Sequence, residues 1–198
     1  MRLEIAGYSN RAGCEVNCDA LLWRERDFGM VAALCSVERK RIAAVGAAKL
    51  ASLRLLEMAE EVYCAADAKE TLRAAMKEIC ADGFPDAVFG ASLLVVRDGL
   101  TAWAGAGSTR LYIFSKDGVR RLGASPDITA ADSELAPGDA LLLGSDGFCR
   151  NVAALECEID LYKSRDAAQW LEYLTLRHAV RSRLEGGSFS LLLCAAAE

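Results

Sequence analysis

The sequence predicts an α+β fold in which antiparallel strands build packed sheets and helices lie outside them. Three observations carry this. Apolar runs at 91–96, 100–104, 110–114 and 119–122 are separated by Arg97-Asp98-Gly99, Gly105 to Ser108, and Lys116-Asp117-Gly118. Asp-Gly between apolar runs is a strong hairpin signal, so these four read as an antiparallel meander. Two stretches ahead of them, 39–64 and 67–80, carry helical periodicity instead.

Taken in order, Leu3, Ile5 and Gly7 begin a first strand, and Ser9 to Gly13 form a loop. Asn17-Cys18-Asp19 leads into a strand at Ala20 to Trp23; polar Arg24 to Asp27 reads as a hairpin turn, and Phe28 to Cys35 as a buried strand. Arg39 to Cys64 reads as one long helix, with Ile42, Val45, Gly46, Leu53 and Leu56 on one face and Ala44, Ala48, Ala51, Leu55 and Val62 opposite. A helix apolar on two faces is covered twice, by a sheet and by a neighbouring helix. Asp67 with Glu70 has the spacing of a capping box for a second helix, whose stripe is Leu72, Ala75, Met76, Ile79 and Cys80. Gly83-Phe84-Pro85-Asp86 ends it.

After the meander, Gly123 to Glu134 reads as loop, and Leu141 to Leu143 as a short buried strand fed by Pro137-Gly138-Asp139. Ser164-Arg165-Asp166 opens a last long helix with Ala167, Trp170, Leu171 and Leu174 on one face. Gly186-Gly187-Ser188 stops it, and Phe189 to Ala195 form a final strand.

The 198 residues suit a single domain, and 53% apolar residues supply a sizeable core. With 23 basic and 28 acidic residues the net charge is −5, which argues against a nucleic-acid binder. The basic clusters at 38–41 and 177–183 lie in helical stretches and read as solvated faces. No apolar run reaches membrane-span length, and Met1 to Ile5 lack the apolar core of a signal peptide. A cytoplasmic chain is therefore expected, with its eight cysteines as reduced thiols; they form no Cys-x-x-Cys pair.

The stretch that matters most for chemistry is Gly138 to Gly147. Its apolar run ends in Ser145-Asp146-Gly147, which holds a carboxylate on a stiff strand end. Such a group can bind a metal or cap the helix that follows. Further motifs lie in a fixed order around it. Ser9 to Gly13 is followed by Asn17-Cys18-Asp19-Ala20, then Val31-Ala32-Ala33-Leu34-Cys35-Ser36. Gly107-Ser108-Thr109-Arg110-Leu111-Tyr112 comes next, then Pro137 to Gly147, then Gly187-Ser188-Phe189-Ser190-Leu191.

Together these resemble the metal-dependent protein serine/threonine phosphatases, the phosphatase 2C-like (PPM) family, over nearly the whole chain. The family's counterparts are Ser-Asp-x-Gly … Asn-Glu-Asp, an apolar strand ending in Asp-Gly, Gly-Asp-Ser-Arg-x-Tyr, a Ser-Asp-Gly strand end and Asp-Asn-Ile-Thr-Val. The resemblance implies a four-layer α-β-β-α sandwich, two antiparallel sheets flanked by helices, with a metal site at one end of the sheets. It also implies hydrolysis of phosphoserine and phosphothreonine by two Mg²⁺ or Mn²⁺ ions about 3.5–4 Å apart, which bridge a water and lower its pKa. Hard cations need carboxylate oxygens.

At the family's three principal ligand positions this chain carries Cys35, Asp146 and Gly187. Asp19 matches a supporting carboxylate, and Cys18 replaces its neighbouring Glu. Arg11 is the candidate for gripping substrate phosphate, and the flap is cut down to 123–137. One of three principal carboxylates remains, so the expectation is a phosphatase fold with impaired or no phosphatase activity, serving as a regulatory module for a protein partner or phosphoprotein. The alternatives are a weak Mn²⁺- or Mg²⁺-dependent phosphatase using Asp19 and Asp146, and a zinc-binding or redox-sensing thiol module on Cys18 and Cys35, with Cys14 or Cys149 nearby. Cysteine as a small buried hydrophobe is the simpler reading of both positions. His178, the one histidine, falls on the apolar stripe of the last helix and reads as a core residue. Gly105 to Ser108 joins two strands, so it offers no helix N-terminus to a phosphate. Trp23, Trp103 and Trp170 read as core or sheet-surface aromatics.

Overall fold

The computed structural model describes residues 1–11, 15–37, 42–81, 88–123, 125–182 and 188–197. Two five-stranded antiparallel sheets pack face to face. One runs β1 (Arg2–Asn10), β10 (Phe189–Ala197), β9 (Ala140–Gly144), β6 (Arg110–Ser115), β7 (Gly118–Gly123). The other runs β2 (Asp19–Arg26), β3 (Gly29–Val37), β4 (Val88–Arg97), β5 (Leu100–Gly107), β8 (Thr129–Glu134). Helices α1 (Ile42–Met58) and α2 (Ala65–Ala81) cover the second sheet. The short α3 (Asp146–Cys149), α4 (Ala154–Lys163) and α5 (Ala167–Arg181) cover the first. This is the α-β-β-α sandwich that the resemblance implies.

Side-chain alternation builds the three core layers. On β3, Val31, Ala33, Cys35 and Val37 face the α1–α2 layer, whereas Met30, Ala32 and Leu34 face the opposite sheet. On β9, Leu141 and Leu143 face between the sheets, and Leu142 faces α4 and α5. A strand buried on both faces reads as a continuous apolar run, which is why both were legible.

Several boundaries differ from the expectation. The meander is two hairpins in different sheets: β4–β5 belongs to one and β6–β7 to the other, and the chain crosses between them at Ser108-Thr109. The turn expected at Arg24 to Asp27 is tighter, at Asp27-Phe28, because Arg24 to Arg26 continue β2 along a solvent-facing edge, paired with Gly29 to Val31 of β3. The expected loop at 123–134 contains β8, a polar edge strand paired only with β5. The first long helix ends at Met58, followed by one 3₁₀ turn, Ala59–Glu61. Asp67 lies inside α2 and its carboxylate accepts from the backbone N–H of Tyr63 and Cys64, so it serves the helix start from within rather than as the cap. Helix α4 was not anticipated between Gly147 and Ser164. Asp166 does cap α5, accepting from Gln169 N at 2.7 Å. The turn at 83–86 lies outside the described residues.

Candidate functional site

The antiparallel registers bring one set of strand ends together. Ser9, at the end of β1, pairs with Ser190 at the start of β10; Asp19, at the start of β2, pairs with Ser36 at the end of β3. Gly144 ends β9 opposite Leu191 and Arg110. Polar residues at these ends therefore meet at one edge of the sandwich, on stiff elements.

Ser145 joins β9 to α3. Its N–H donates to Ser190 O at 2.9 Å, and its hydroxyl accepts from Ser190 N at 3.0 Å. Ser145 is the cap position of α3, and Asp146 is its first residue. The Asp146 carboxylate, 18% exposed, lies 2.6 Å from Arg150 Nη2 and 3.7 Å from Arg110 Nη2. Its charge is thus offset by two guanidiniums from this same chain. Gly147 follows because β10 comes very close: a Cβ there would lie 2.0 Å from Ser188 O. Gly147 O in turn accepts from His178 Nε2–H at 3.0 Å and Asn151 Nδ2 at 2.8 Å.

Asp19 is 6% exposed. Its Oδ1 accepts from Ser36 Oγ at 2.6 Å, its N–H donates to Asn17 Oδ1 at 3.1 Å, and Oδ2 has no hydrogen-bond partner among the described residues. Burial pushes its carboxyl above the ordinary carboxylate range; the hydroxyls of Ser36, Ser145 and Ser190 pull it back, and the Asp146 charge adds to the rise. A hydroxyl chain borders it: Asn17 Nδ2 donates to Ser9 Oγ at 2.7 Å, and Ser9 Oγ lies 2.6 Å from Ser190 Oγ.

Asp19 and Asp146 thus come together, and the cysteines do not join them. Cys18 and Cys35 sit in the apolar cluster beneath α1, because strand alternation sends their side chains to the helix side of the sheet. Burial pushes the Cys35 thiol up to about 12, the wrong direction for a thiolate ligand. Cys149 packs against Gly144 beside Arg110, and burial pushes it up to about 11. Arg11 folds onto its own loop, donating to Glu15 O at 3.2 Å. Cys14 and Gly187 lie outside the described residues. In the shortened flap, Asp132 accepts from Ala65 N at 2.6 Å and so serves the start of α2, while the backbone N–H of exposed Asp127 donates to Ser125 Oγ. Neither supplies the site.

Among the described residues, no group of three or more His, Cys, Asp and Glu side chains is placed to hold a metal ion. Two dications need several free carboxylate oxygens to replace their water. Here one carboxylate is engaged by arginines and the other is buried against hydroxyls, so the donors present do not fit a dication pair.

No protein-family model matches this chain, and no curated protein matches its sequence. Its structure aligns over 99% of its length with 99% of the Mycobacterium tuberculosis serine/threonine phosphatase PstP/Ppp, at a TM-score of 0.80 and 15% identity. The fold is that of the phosphatase 2C-like proteins. The catalytic domain of PstP in complex with two manganese ions aligns equally fully, at a TM-score of 0.79 and 15% identity. PppA, described as a key regulatory component of T6SS in Pseudomonas aeruginosa, aligns over 99% of this chain and 98% of its own, at a TM-score of 0.75 and 17% identity.

Within this phosphatase 2C-like fold, sequence reasoning missed Ser36, Ser190, Arg110 and Arg150 as members of the site. Signals for two of them were present. Arg150 stands four residues after Asp146, the spacing of a helical ion pair. Ser36 follows Cys35 by one residue, and a strand sends neighbours to opposite faces.

Proposed function

We propose that this chain is a phosphatase 2C-like domain that does not hydrolyse phosphoesters through a dication pair and acts through protein contacts. The observation that supports this reading is the pairing of Asp146 with Arg110 and Arg150. A guanidinium supplies positive charge to a carboxylate, but it cannot bind water as a Lewis acid and lower its pKa. The description of PppA as a regulatory component accords with a regulatory role. A cytoplasmic setting belongs to the same reading; six described cysteines are free thiols.

A weak Mn²⁺-dependent phosphatase is the second reading, and one feature favours it. Arg150 is 62% exposed and can swing away, leaving Asp146 and Asp19 beside each other with backbone carbonyls and water as further donors. The experiment is hydrolysis of an aryl phosphate across a Mn²⁺ titration, with Asp146→Ala alongside. The expected result is no turnover above that variant. Turnover that needs both Mn²⁺ and Asp146 selects the second reading. A zinc or redox site on Cys18 and Cys35 has no observation in its favour, since both are buried in the helix-facing core.

A further inference from the structure

The two helical layers meet solvent differently. Among the described residues, α1 and α2 expose one large apolar side chain, Leu53. Helices α4 and α5 expose five: Leu155 at 64%, Ile159 at 40%, Tyr162 at 75%, Leu176 at 64% and Val180 at 61%. Leu155, Ile159 and Tyr162 recur at i, i+4 and i+7, and Leu176 and Val180 at i and i+4, so each helix carries one outward apolar ridge. The opposite faces, with Cys157, Trp170 and Leu174, are already spent on the sheet.

Between the ridges runs a seam of ion pairs. Arg177 donates to both oxygens of Asp160 at 2.7 Å each and reaches Glu156 at 3.3 Å; Arg181 also binds Glu156. A groove of about 450 Å³, lined by Lys163, Tyr173, Leu176 and Val180 among others, follows this seam.

We propose that this face is a two-fold interface between two copies of the chain. In such a contact each patch meets its own copy, which is opposed where the patch carries a large net charge. Here two arginines are matched by two carboxylates inside the same hairpin, so the seam itself carries no net charge to repel its twin. Lys163, which lines the groove beside it, has no ion pair among the described residues; it is a single charge, not the cluster that recruits an acidic peptide. Most of what remains unsatisfied is apolar, and a second α4–α5 hairpin presents an equal apolar face. At these exposures the five side chains present roughly 500 Å². With the flanking stems of Lys163 and Tyr173, that approaches the ~800 Å² per partner of a standard stable interface. This inference does not depend on whether the Asp146 site turns over.

The test is sedimentation equilibrium of the full chain from about 1 to 300 μM. The expected result is a monomer–dimer equilibrium with a micromolar Kd that the double variant Leu155→Asp, Leu176→Asp raises at least about 30-fold. Both positions are exposed, and circular dichroism melting checks that the variant is folded. Leu100→Ser, an exposed apolar position on the β4–β5 turn, leaves the Kd unchanged. A single-chain mass at every concentration overturns the proposal and leaves the face to a different protein. A dimer that the double variant does not weaken overturns it too, by placing the interface elsewhere.

Discussion

Arg150 Nη2 lies 2.6 Å from Asp146 Oδ2, four residues earlier on the same helical turn. The carboxylate that the fold holds at a strand end is therefore bound by a cation that the chain itself supplies, and Arg110 approaches the other oxygen at 3.7 Å from β6. These two contacts differ in character. Arg150 is largely exposed, so its pair is worth only about 0.3–0.5 kcal/mol. Arg110 is mostly buried, its Nε has no hydrogen-bond partner among the described residues, and its loss disturbs more of the surroundings.

Arg150→Ala is expected to leave stability within ~0.5 kcal/mol of the parent. The informative variant is Arg110→Ala with Arg150→Ala, which frees Asp146. Mn²⁺ affinity, read by calorimetry, should rise on the order of tenfold, because each guanidinium contributes about 1 kcal/mol of competing attraction at most. If the affinity does not change, the arginines are not what excludes the cation.

Asp19 supplies the second prediction. Burial raises its carboxyl pKa above the ordinary 3.8. The folded state then keeps a proton that the unfolded chain releases. Stability from this group is fully present below the ordinary value and is lost as pH rises through the folded one. Asp19→Asn retains an oxygen to accept from Ser36 and carries no charge. It should raise Tm at pH 7 by roughly 2–5 °C and remove that part of the pH dependence. Scanning calorimetry from below pH 3.8 up to pH 8 decides; an equal or lower Tm for the variant at pH 7 would mean the carboxylate is compensated in place.

The sandwich was legible because Leu141 to Leu143, Phe28 to Cys35 and the Asp98-Gly99 and Asp117-Gly118 turns carry their structure locally. The assignment of hairpins to sheets was not, since no local signal at Ser108-Thr109 says that the chain changes sheet. β8 was illegible because Thr129 to Glu134 is polar and gains its order from pairing with β5. Helix α4 was obscured by its outward Leu155, Ile159 and Tyr162, which blur the usual contrast between faces. At the site, motif matching placed Cys35 among the ligand positions, whereas strand alternation turns Ser36 toward Asp19. The contact of Arg110 with Asp146 joins positions far apart in sequence, and only the β6–β9 pairing reveals it.

Glycine positions give a paired prediction. Gly147→Ala puts a Cβ 2.0 Å from the Ser188 carbonyl oxygen, on a backbone that cannot retreat without moving β10. A loss of at least ~2–3 kcal/mol is expected, with the Asp146 turn displaced. Gly46→Ala is the opposite case: it lies within α1, and among the described residues nothing stands within 4 Å of the added carbon. It should gain about 0.5–1 kcal/mol. Urea unfolding of both variants checks the contrast, and equal effects would sink it.

The last prediction concerns His178. Its ring stacks on Phe189 with centroids 3.7 Å apart, its Nε2–H donates to Gly147 O, and its Nδ1 is buried without a hydrogen-bond partner among the described residues. Burial lowers its pKa below the ordinary 6.5, with the Gly147 bond acting weakly against that. The folded state therefore holds this ring neutral, while the unfolded chain takes up a proton as pH falls below about 6.5. Stability contributed by the neutral ring is fully present above the ordinary value and is lost as pH falls toward the folded one. Protonation at Nδ1 leaves the Nε2–H bond to Gly147 O in place, so the cost of charging the ring is its burial. His178→Gln can still donate to Gly147 O but loses the stacking, so it should be less stable by ~1–2 kcal/mol at pH 8. Its Tm should also fall less steeply between pH 7 and 5 than that of the parent. Parallel Tm profiles for the two proteins would show that His178 is not the group titrating.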